Sequence, residues 1–150
     1  MLLSVKVVRQ KMKIIVIRAE YGDIKEKYVV EGDVHHVLKD VVSKALTFWD
    51  PRKSDLIVVR HSHDLQVRLP ISKEQYMLYS KFNLRRQGDK AVFELPLYVV
   101  SFENQWIGED LVDSKVFIVA PYLDEYTEQE LIKLAQSITS QPKEEVEEQS

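Results

Sequence analysis

Cysteine is absent from this chain of 150 residues, and glycine occurs only four times. Without cysteine the chain can form no disulfide, no thiolate metal site and no cysteine nucleophile. The few glycines form no phosphate-binding loop, which argues against P-loop and Rossmann nucleotide sites. No apolar run reaches the length of a membrane-spanning helix, and residues 1–8 lack the features of a signal peptide. We therefore expect a cytoplasmic protein without membrane association.

Charge is distributed unevenly along the chain. Residues 1–100 carry 18 Lys and Arg against 12 Asp and Glu, a net charge of +6, whereas residues 101–150 carry 3 against 12, a net charge of −9. Such asymmetry is typical of association with a charged partner or of an acidic tail. Because no catalytic constellation accompanies it, we predict a non-catalytic interaction or accessory protein. It would work without a cofactor inside a larger macromolecular assembly, through charge complementarity with a protein partner.

Hydrophobic periodicity predicts strands and helices in alternation. The strongest pattern is a helix that begins after Asp33 as N-cap and ends at Asp50, with apolar residues at the i, i+3, i+4 spacing. Capping boxes predict two more helices, one from Ser72 to about Phe82 and one beginning at Thr127. The predicted strands cover residues 12–18, 28–30, 55–60, 65–69, 84–86, 91–95, 97–102 and 116–120, with a turn at residues 61–64.

This order of elements predicts an α+β fold. We expect two layers, with about three helices packed on a mostly antiparallel or mixed sheet. Residues 12–139 form a single domain in this interpretation, and residues 1–11 are an extension or an extra strand. Residues 140–150 contain four glutamates and lack apolar periodicity, which predicts a disordered acidic tail. The tail either solvates the chain end or folds back on basic residues 72–90.

Histidines and carboxylates give three candidate sites of weak specificity. His61 and His63 point to the same side of an extended chain, so with Asp64 they could share a metal ion. A metal-dependent enzyme that uses these histidines and the carboxylates of residues 103–113 is therefore a third function class. A polar turn is the alternative. His35 and His36 fit a solvated helix face, with His36 four residues before Asp40. Carboxylates of the loop around Trp106 could hold Mg²⁺, or they could solvate a loop whose Trp106 anchors in the core. These carboxylates are Glu103, Glu109, Asp110 and Asp113.

A basic segment offers a nucleic-acid-binding alternative. A capped helix followed by a basic hairpin is the order of a recognition helix and wing, although the preceding helix of a winged-helix domain is missing. RNA or DNA binding would then depend on basic side chains of this segment, which are Lys73, Lys81, Arg85, Arg86 and Lys90.

The chain resembles an uncharacterised protein family of crenarchaeal thermophiles. The resemblance depends on residues 12–28, the triplet Phe48-Trp49-Asp50, residues 102–108 and the triplet Ala120-Pro121-Tyr122. It implies a small cytoplasmic protein without an assigned activity, and it transfers no catalytic residue. A thermophilic source also fits the composition, since 30% of residues are charged and only two are asparagine.

Overall fold

The computed structural model describes residues 12–68, 72–74, 77, 82, 85–88 and 90–140. Its strands all pair antiparallel, in the order β2-β1-β6-β5-β3, with β4 paired to the first residues of β5. The elements with described bounds are β1 (Met12–Glu20), β2 (Asp23–Gly32), α1 (Val34–Phe48), β3 (Val58–Arg68), β4 (Arg85–Gln87), β5 (Lys90–Ile107), β6 (Asp110–Pro121) and α2 (Glu125–Thr139). The α+β class is confirmed.

The sheet is covered by a helix on each face. Successive side chains of a strand point to opposite faces, so the apolar run of β1 serves two cores. Ile15 and Ile17 lie in a cluster with Leu131 of α2, whereas Ile14 and Val16 lie in a cluster with α1. The expectation of two layers is therefore wrong for the described residues, which form three. The unbroken Ile/Val run of β1 is the sequence signal of this burial on both faces.

Both described helices are close to their predicted bounds. Asp33 occupies the N-cap position of α1, but its side chain makes no capping hydrogen bond. The cap of α2 lies three residues before the predicted one, because Asp124 Oδ1 accepts hydrogen bonds from the backbone N–H and the hydroxyl of Thr127, each at 2.8 Å. Neither α1 nor α2 is long and apolar enough to cross a membrane.

Strand β3 corrects the prediction of two strands with a turn at residues 61–64. Pairing with β5 continues through this segment, with Ser62 opposite Leu97 and Asp64 opposite Glu94. The register shift between these pairs leaves an extra residue on β5, where Pro96 stands. Proline has no N–H to donate, so it is tolerated where a ladder is interrupted. The polar residues 61–64 of β3 have the composition of a turn, which explains the wrong prediction.

The segment between β3 and β5 is described only in part. Lys73, Glu74 and Met77 are helical, and the rest of the helix predicted from Ser72 falls largely outside the described residues. The predicted basic hairpin is confirmed, since Arg85 pairs with Val92 and Gln87 pairs with Lys90. The predictions for residues 1–11 and 141–150 also fall outside the described residues.

The turn between β1 and β2 ties three elements together. Tyr21 and Gly22 both have positive φ, +50° and +85°, which is the type I′ geometry of a two-residue hairpin. The N–H of Gly22 donates to Thr139 Oγ1 at 3.0 Å, and the N–H of Tyr21 donates to the carbonyl of Ser114 at 2.9 Å. The end of α2 and Ser114 of β6 are thus both attached to this turn.

Replacing Gly22 with alanine tests this attachment. The positive φ alone should lower the free energy of unfolding by about 1–2 kcal/mol, and the new Cβ would meet Ser140 Cβ at 3.1 Å. Denaturant unfolding measures the loss. In a Ser140→Gly background the cost of Gly22→Ala should be smaller, because the opposing Cβ is gone. An alanine variant as stable as the parent would contradict this geometry.

Candidate interaction surface

The loop before β3, the β5–β6 hairpin and the β1–β2 turn meet at one end of the sheet, which we call the hairpin end (residues 20–23, 50–58 and 101–116). The register establishes this, since Val58 lies opposite Ser101, and Lys115 lies opposite both Glu20 and Glu103. At the other extreme of β5, residues 66–68, 85–87 and 90–92 are neighbours on three strands. We call this the β4 end.

The β5–β6 hairpin carries exposed apolar side chains. Gly108, with a φ of +64°, and Glu109 form a two-residue turn between the paired residues Ile107 and Asp110. Trp106 is 63% exposed and Ile107 43% exposed. The expectation that Trp106 anchors in the core is wrong. Trp106 lies beyond the end of β1, whose last residue is level with Lys115, so the layered core does not extend to it.

A groove of about 340 Å³ separates this hairpin from the loop that follows α1. Leu56 on the loop side is 53% exposed, so apolar surface lies on both walls. We call Leu56 and Trp106, the exposed apolar side chains of these two walls, the hairpin-tip patch. The lining residues of the groove are Arg52, Lys53, Ser54, Asp55, Leu56, Asn104, Gln105 and Trp106.

Asn104 forms the buried polar floor of the groove. Its side-chain Nδ2 donates to Ser101 Oγ at 3.0 Å and to the carbonyl of Leu56 at 3.4 Å. Its Oδ1 accepts from Ser54 Oγ at 3.1 Å, and its backbone N–H donates to the same hydroxyl at 3.2 Å. This network joins the loop to β5, so both walls of the groove are held in a fixed relation.

The rim of the groove carries charges of both signs, Arg52 and Lys53 against Asp55, and it is ordered by Asp50. The carboxylate of Asp50 accepts from the backbone N–H of Arg52 at 2.9 Å and from its guanidinium at 3.1 and 3.2 Å. These hydrogen bonds to Arg52 lower the pKa of Asp50. The loop is further fixed by Trp49, whose Nε1 donates to the carbonyl of Ser54 at 2.8 Å. Arg52 itself is 88% exposed and can reach a partner.

The carboxylates near Trp106 do not converge on one point. Asp113 is buried and pairs with Arg60, while Glu103 accepts from the hydroxyl of Tyr21 and lies 3.5 Å from Lys115 Nζ. Partial desolvation of the phenol and its hydrogen bond to Glu103 raise the pKa of Tyr21 to about 12. Within the described part of the chain, no group of three His, Asp or Glu residues could hold a metal ion.

Two histidines that are distant in the sequence meet at Tyr98. The His61 ring stacks on Tyr98 with centroids 4.4 Å apart, and His35 approaches the same ring edge-on at 6.2 Å. For His63 and Asp64 the structure gives the strand but not the side chains, so the predicted metal set lies partly outside the described residues. The register shift between Ser62 and Asp64 also interrupts the alternation of side chains between the two sheet faces. The prediction that His61 and His63 point to the same side depended on that alternation.

The predicted nucleic-acid residues gather in part at the β4 end. Arg85 and Arg86 are exposed on β4, and Lys90 pairs with Gln87 on one side and with Arg68 on the other. Arg68 is an addition that sequence reasoning missed, because only the register brings it there. Lys73 is exposed on its helical turn, whereas Lys81 lies outside the described residues.

Part of the charge asymmetry is compensated inside the fold. Arg60 pairs with Asp113, and Lys27 Nζ lies 2.7 Å from Glu128 Oε2, so basic residues of the first hundred meet acidic residues of the last fifty. The net charge of each region therefore overstates the charge that a partner would meet.

A family model matches residues 13–140 of the chain, over nearly the whole described range. Its description reads uncharacterized protein conserved in archaea (DUF2286). The chain belongs to this family. The resemblance seen in the sequence is thus confirmed at the level of an archaeal family. Searches of curated proteins and of solved structures returned no match to the chain.

Replacing Asn104 with alanine tests the groove floor of this archaeal family member. The substitution leaves the buried hydroxyls of Ser54 and Ser101 with fewer partners, so the free energy of unfolding should fall by about 1–3 kcal/mol. The neighbouring Gln105→Ala variant is the matched control and should change stability by less than about 0.5 kcal/mol. Equal losses in the two variants, measured by denaturant unfolding, would show that the network does not hold the loop.

Proposed function

We propose that this protein is a non-catalytic interaction module that docks a partner protein through the hairpin end, as part of a larger assembly. The observation that carries the proposal is the exposure of the hairpin-tip patch, above all of Trp106. Exposed apolar clusters rimmed by polar residues are typical of interaction sites. Tryptophan and arginine are also the residues most often responsible for binding energy at interfaces.

The groove beside the patch is suited to binding because it is already formed. Its walls are the strand β5 and a loop that Asn104 and Ser54 join to that strand. Side chains on such a scaffold lose little conformational entropy when a partner binds, which favours affinity. The proposal therefore needs no rearrangement of the described backbone.

The chemistry of the rim indicates the class of partner. Arg52, Lys53 and Asp55 stand beside Leu56 and Trp106 around one groove. A matching surface would present an apolar anchor flanked by charges opposite in sign to these three. Opposite charges across such an interface mainly raise the association rate and exclude wrong partners. We thus propose as the partner a protein that presents an apolar anchor with carboxylates toward Arg52 and Lys53 and a cation toward Asp55.

Photo-crosslinking tests this proposal. A photoreactive amino acid at Gln105, which lines the groove, should give a light-dependent adduct with the partner protein when the chain is produced in an archaeal host. The same amino acid at Lys133, which is 73% exposed on α2, is the control and should give none. Reversing Arg52 and Lys53 to glutamate should reduce the adduct at least about five-fold, because close charge pairs contribute more than 1 kcal/mol.

Equal adducts from both positions, or none from position 105, would contradict docking at the hairpin end. Turnover of a small molecule by the isolated protein would contradict a non-catalytic role.

Nucleic-acid binding is a second candidate function, favoured by the β4 end. Arg85 and Arg86 are exposed there, and the register adds Arg68 and Lys90 on neighbouring strands. Cations on adjacent strands can contact successive phosphates, and each neutralised phosphate contributes about 0.9 to the slope of log affinity against log salt.

Reversing Arg85 and Arg86 to glutamate tests this second candidate. Affinity for unrelated duplexes and single strands should fall uniformly, and the salt slope should decrease by about two. The matched control reverses Arg52 and Lys53, which keeps the net charge change but lies at the hairpin end, and it should bind like the parent. Absence of any gel shift by the parent at low salt would eliminate nucleic-acid binding.

We also propose a cytoplasmic location and a thermophilic, crenarchaeal source. The charged fraction of 30% and the two asparagines support the thermophilic source. An unfolding midpoint of about 60 °C, ordinary for mesophilic domains, would contradict it.

A further inference from the structure

We propose that two copies of this chain pair through the outer edge of β2, antiparallel and centred on Val29, and form a dimer with one continuous sheet. The occupant of the edge is thus a second copy of the chain. Every residue that the pairing uses lies in the described part of the structure. The pairing itself does not depend on the proposed function.

The outer edge of β2 is open to another strand. Among the described strands β2 pairs with β1 alone, and it stands at one end of the strand order. None of its ten residues is fully buried. The buried members of both core clusters lie on β1, β5, β6 and the two helices, so the helices pack over the middle of the sheet. Backbone groups of β2 that point away from β1 can therefore pair with an added strand.

Residues 26–32 form the regular part of this edge. Their register with β1 is unbroken, whereas the register shift of the hairpin leaves Lys25, just before them, as an extra residue. The segment contains no proline, so no N–H of a new ladder would be missing. It is long enough to form a strand pair of ordinary length.

Symmetry and sequence together select the centre of the pairing. A two-fold axis perpendicular to the sheet sets residues of one face opposite each other, so the axis must pass a residue of β2. Centring on Lys27 or on Glu31 would set like charges against each other at the axis. Centring on Tyr28 would set Val29 opposite Lys27, and centring on Val30 would set Val29 opposite Glu31. Only the centre at Val29 joins apolar to apolar and opposite to opposite charge.

On the face that carries α2, this pairing completes a row of alternating charges. Lys27 lies opposite Glu31 of the second copy, and the axis repeats the pair. Within one copy Lys27 Nζ lies 2.7 Å from Glu128 Oε2, and Glu31 is level with Lys13 on β1. The row therefore runs from Lys13 to Glu31 and on to Lys27 and Glu128 of the second copy, with alternating sign. The interface extends the existing Lys27–Glu128 pair and does not need to break it.

On the opposite face the pairing extends an apolar core. Tyr28 and Val30 are partly buried against the cluster of α1. With the centre at Val29, each Tyr28 lies opposite Val30 of the second copy, so an aromatic and a β-branched side chain meet twice across the interface. Val29 itself is 43% exposed in one copy and meets its symmetry mate at the axis. The association therefore removes apolar surface from water on both faces of the sheet.

Lysine on an outer strand normally prevents pairing with other chains. Here Glu31, four residues after Lys27, lies where the symmetry sets it opposite that lysine, so a second copy is admitted while an unmatched strand is repelled. The axis also reverses the strand direction. Since β2 begins at the hairpin end, the two hairpin ends would lie at opposite extremes of the dimer. One dimer would thus hold two docking partners, and only this consequence rests on the proposed function.

Sedimentation equilibrium of the full chain tests the dimer. The parent should show a monomer–dimer equilibrium at concentrations up to about 1 mM, the range of weak association. Val29→Lys should raise the dissociation constant at least about ten-fold, because the axis brings two new charges face to face and the apolar contact is lost. Val59→Lys is the matched control and should associate like the parent, since Val59 is 46% exposed on β3, the other outer strand of the described sheet.

Charge reversal tests the register. Lys27→Glu sets two glutamates opposite each other at both pairs, and Glu31→Lys sets two lysines opposite each other, so each variant alone should dissociate at least about ten-fold more readily. Mixing the two variants should restore dimers that contain one chain of each, because both pairs then join opposite charges. Variants that had merely lost stability would not recover on mixing.

A parent that sediments as a monomer throughout would overturn the proposal. Dimers that persist in Val29→Lys or dissociate in Val59→Lys would also overturn it, since another surface would then form them, and so would charge-reversed variants that stay apart on mixing. If circular dichroism shows that Val29→Lys does not fold, the mixed pair of variants decides. A monomeric chain with a crosslinked partner from position 105 would remove the dimer alone, and a dimer without such a partner would remove the proposed function alone.

Discussion

Burial of β1 on both faces is the constraint on which the rest of the structure depends. Ile14 and Val16 hold α1 on one face, while Ile15 and Ile17 hold α2 on the other. Each fully buried side chain of this size contributes about 1.5–3 kcal/mol relative to its exposure. Since β1 ends at Glu20, the layered core ends there too. The β5–β6 hairpin continues past that level, and this overhang exposes Trp106.

Charged side chains are divided in the same way, between ion pairs inside the fold and exposed cations at the two ends of the sheet. The pairs Arg60–Asp113 and Lys27–Glu128 use opposite charges from distant parts of the chain to join elements of the fold. Among the exposed cations of the described residues, Arg52 lies at the hairpin end, and Arg85 and Arg86 lie at the β4 end. Such a separation lets one small domain present two charged surfaces, of which the hairpin end also carries apolar side chains.

Local signals in the sequence predicted local structure well. The apolar spacing predicted α1, and the strands predicted at residues 84–86 and 91–95 correspond to the hairpin of β4 with β5. Features that depend on contacts between residues distant in the chain could not be predicted from the sequence. The stacking of His61 on Tyr98, the path of β3 through residues 61–64 and the position of Trp106 all depend on register with β5. Burial of β1 on both faces was visible in its apolar run, but alternation is the pattern normally expected of an antiparallel strand.

Amide hydrogen exchange in the native assembly tests the central claim, that the hairpin end is the docking surface. The isolated protein and the same protein within the complex it forms in an archaeal host would be compared peptide by peptide. The account predicts new protection at residues 52–56 and 104–107, with little change at residues 85–92. Protection confined to residues 85–92, or unchanged exchange at the hairpin end, would contradict it.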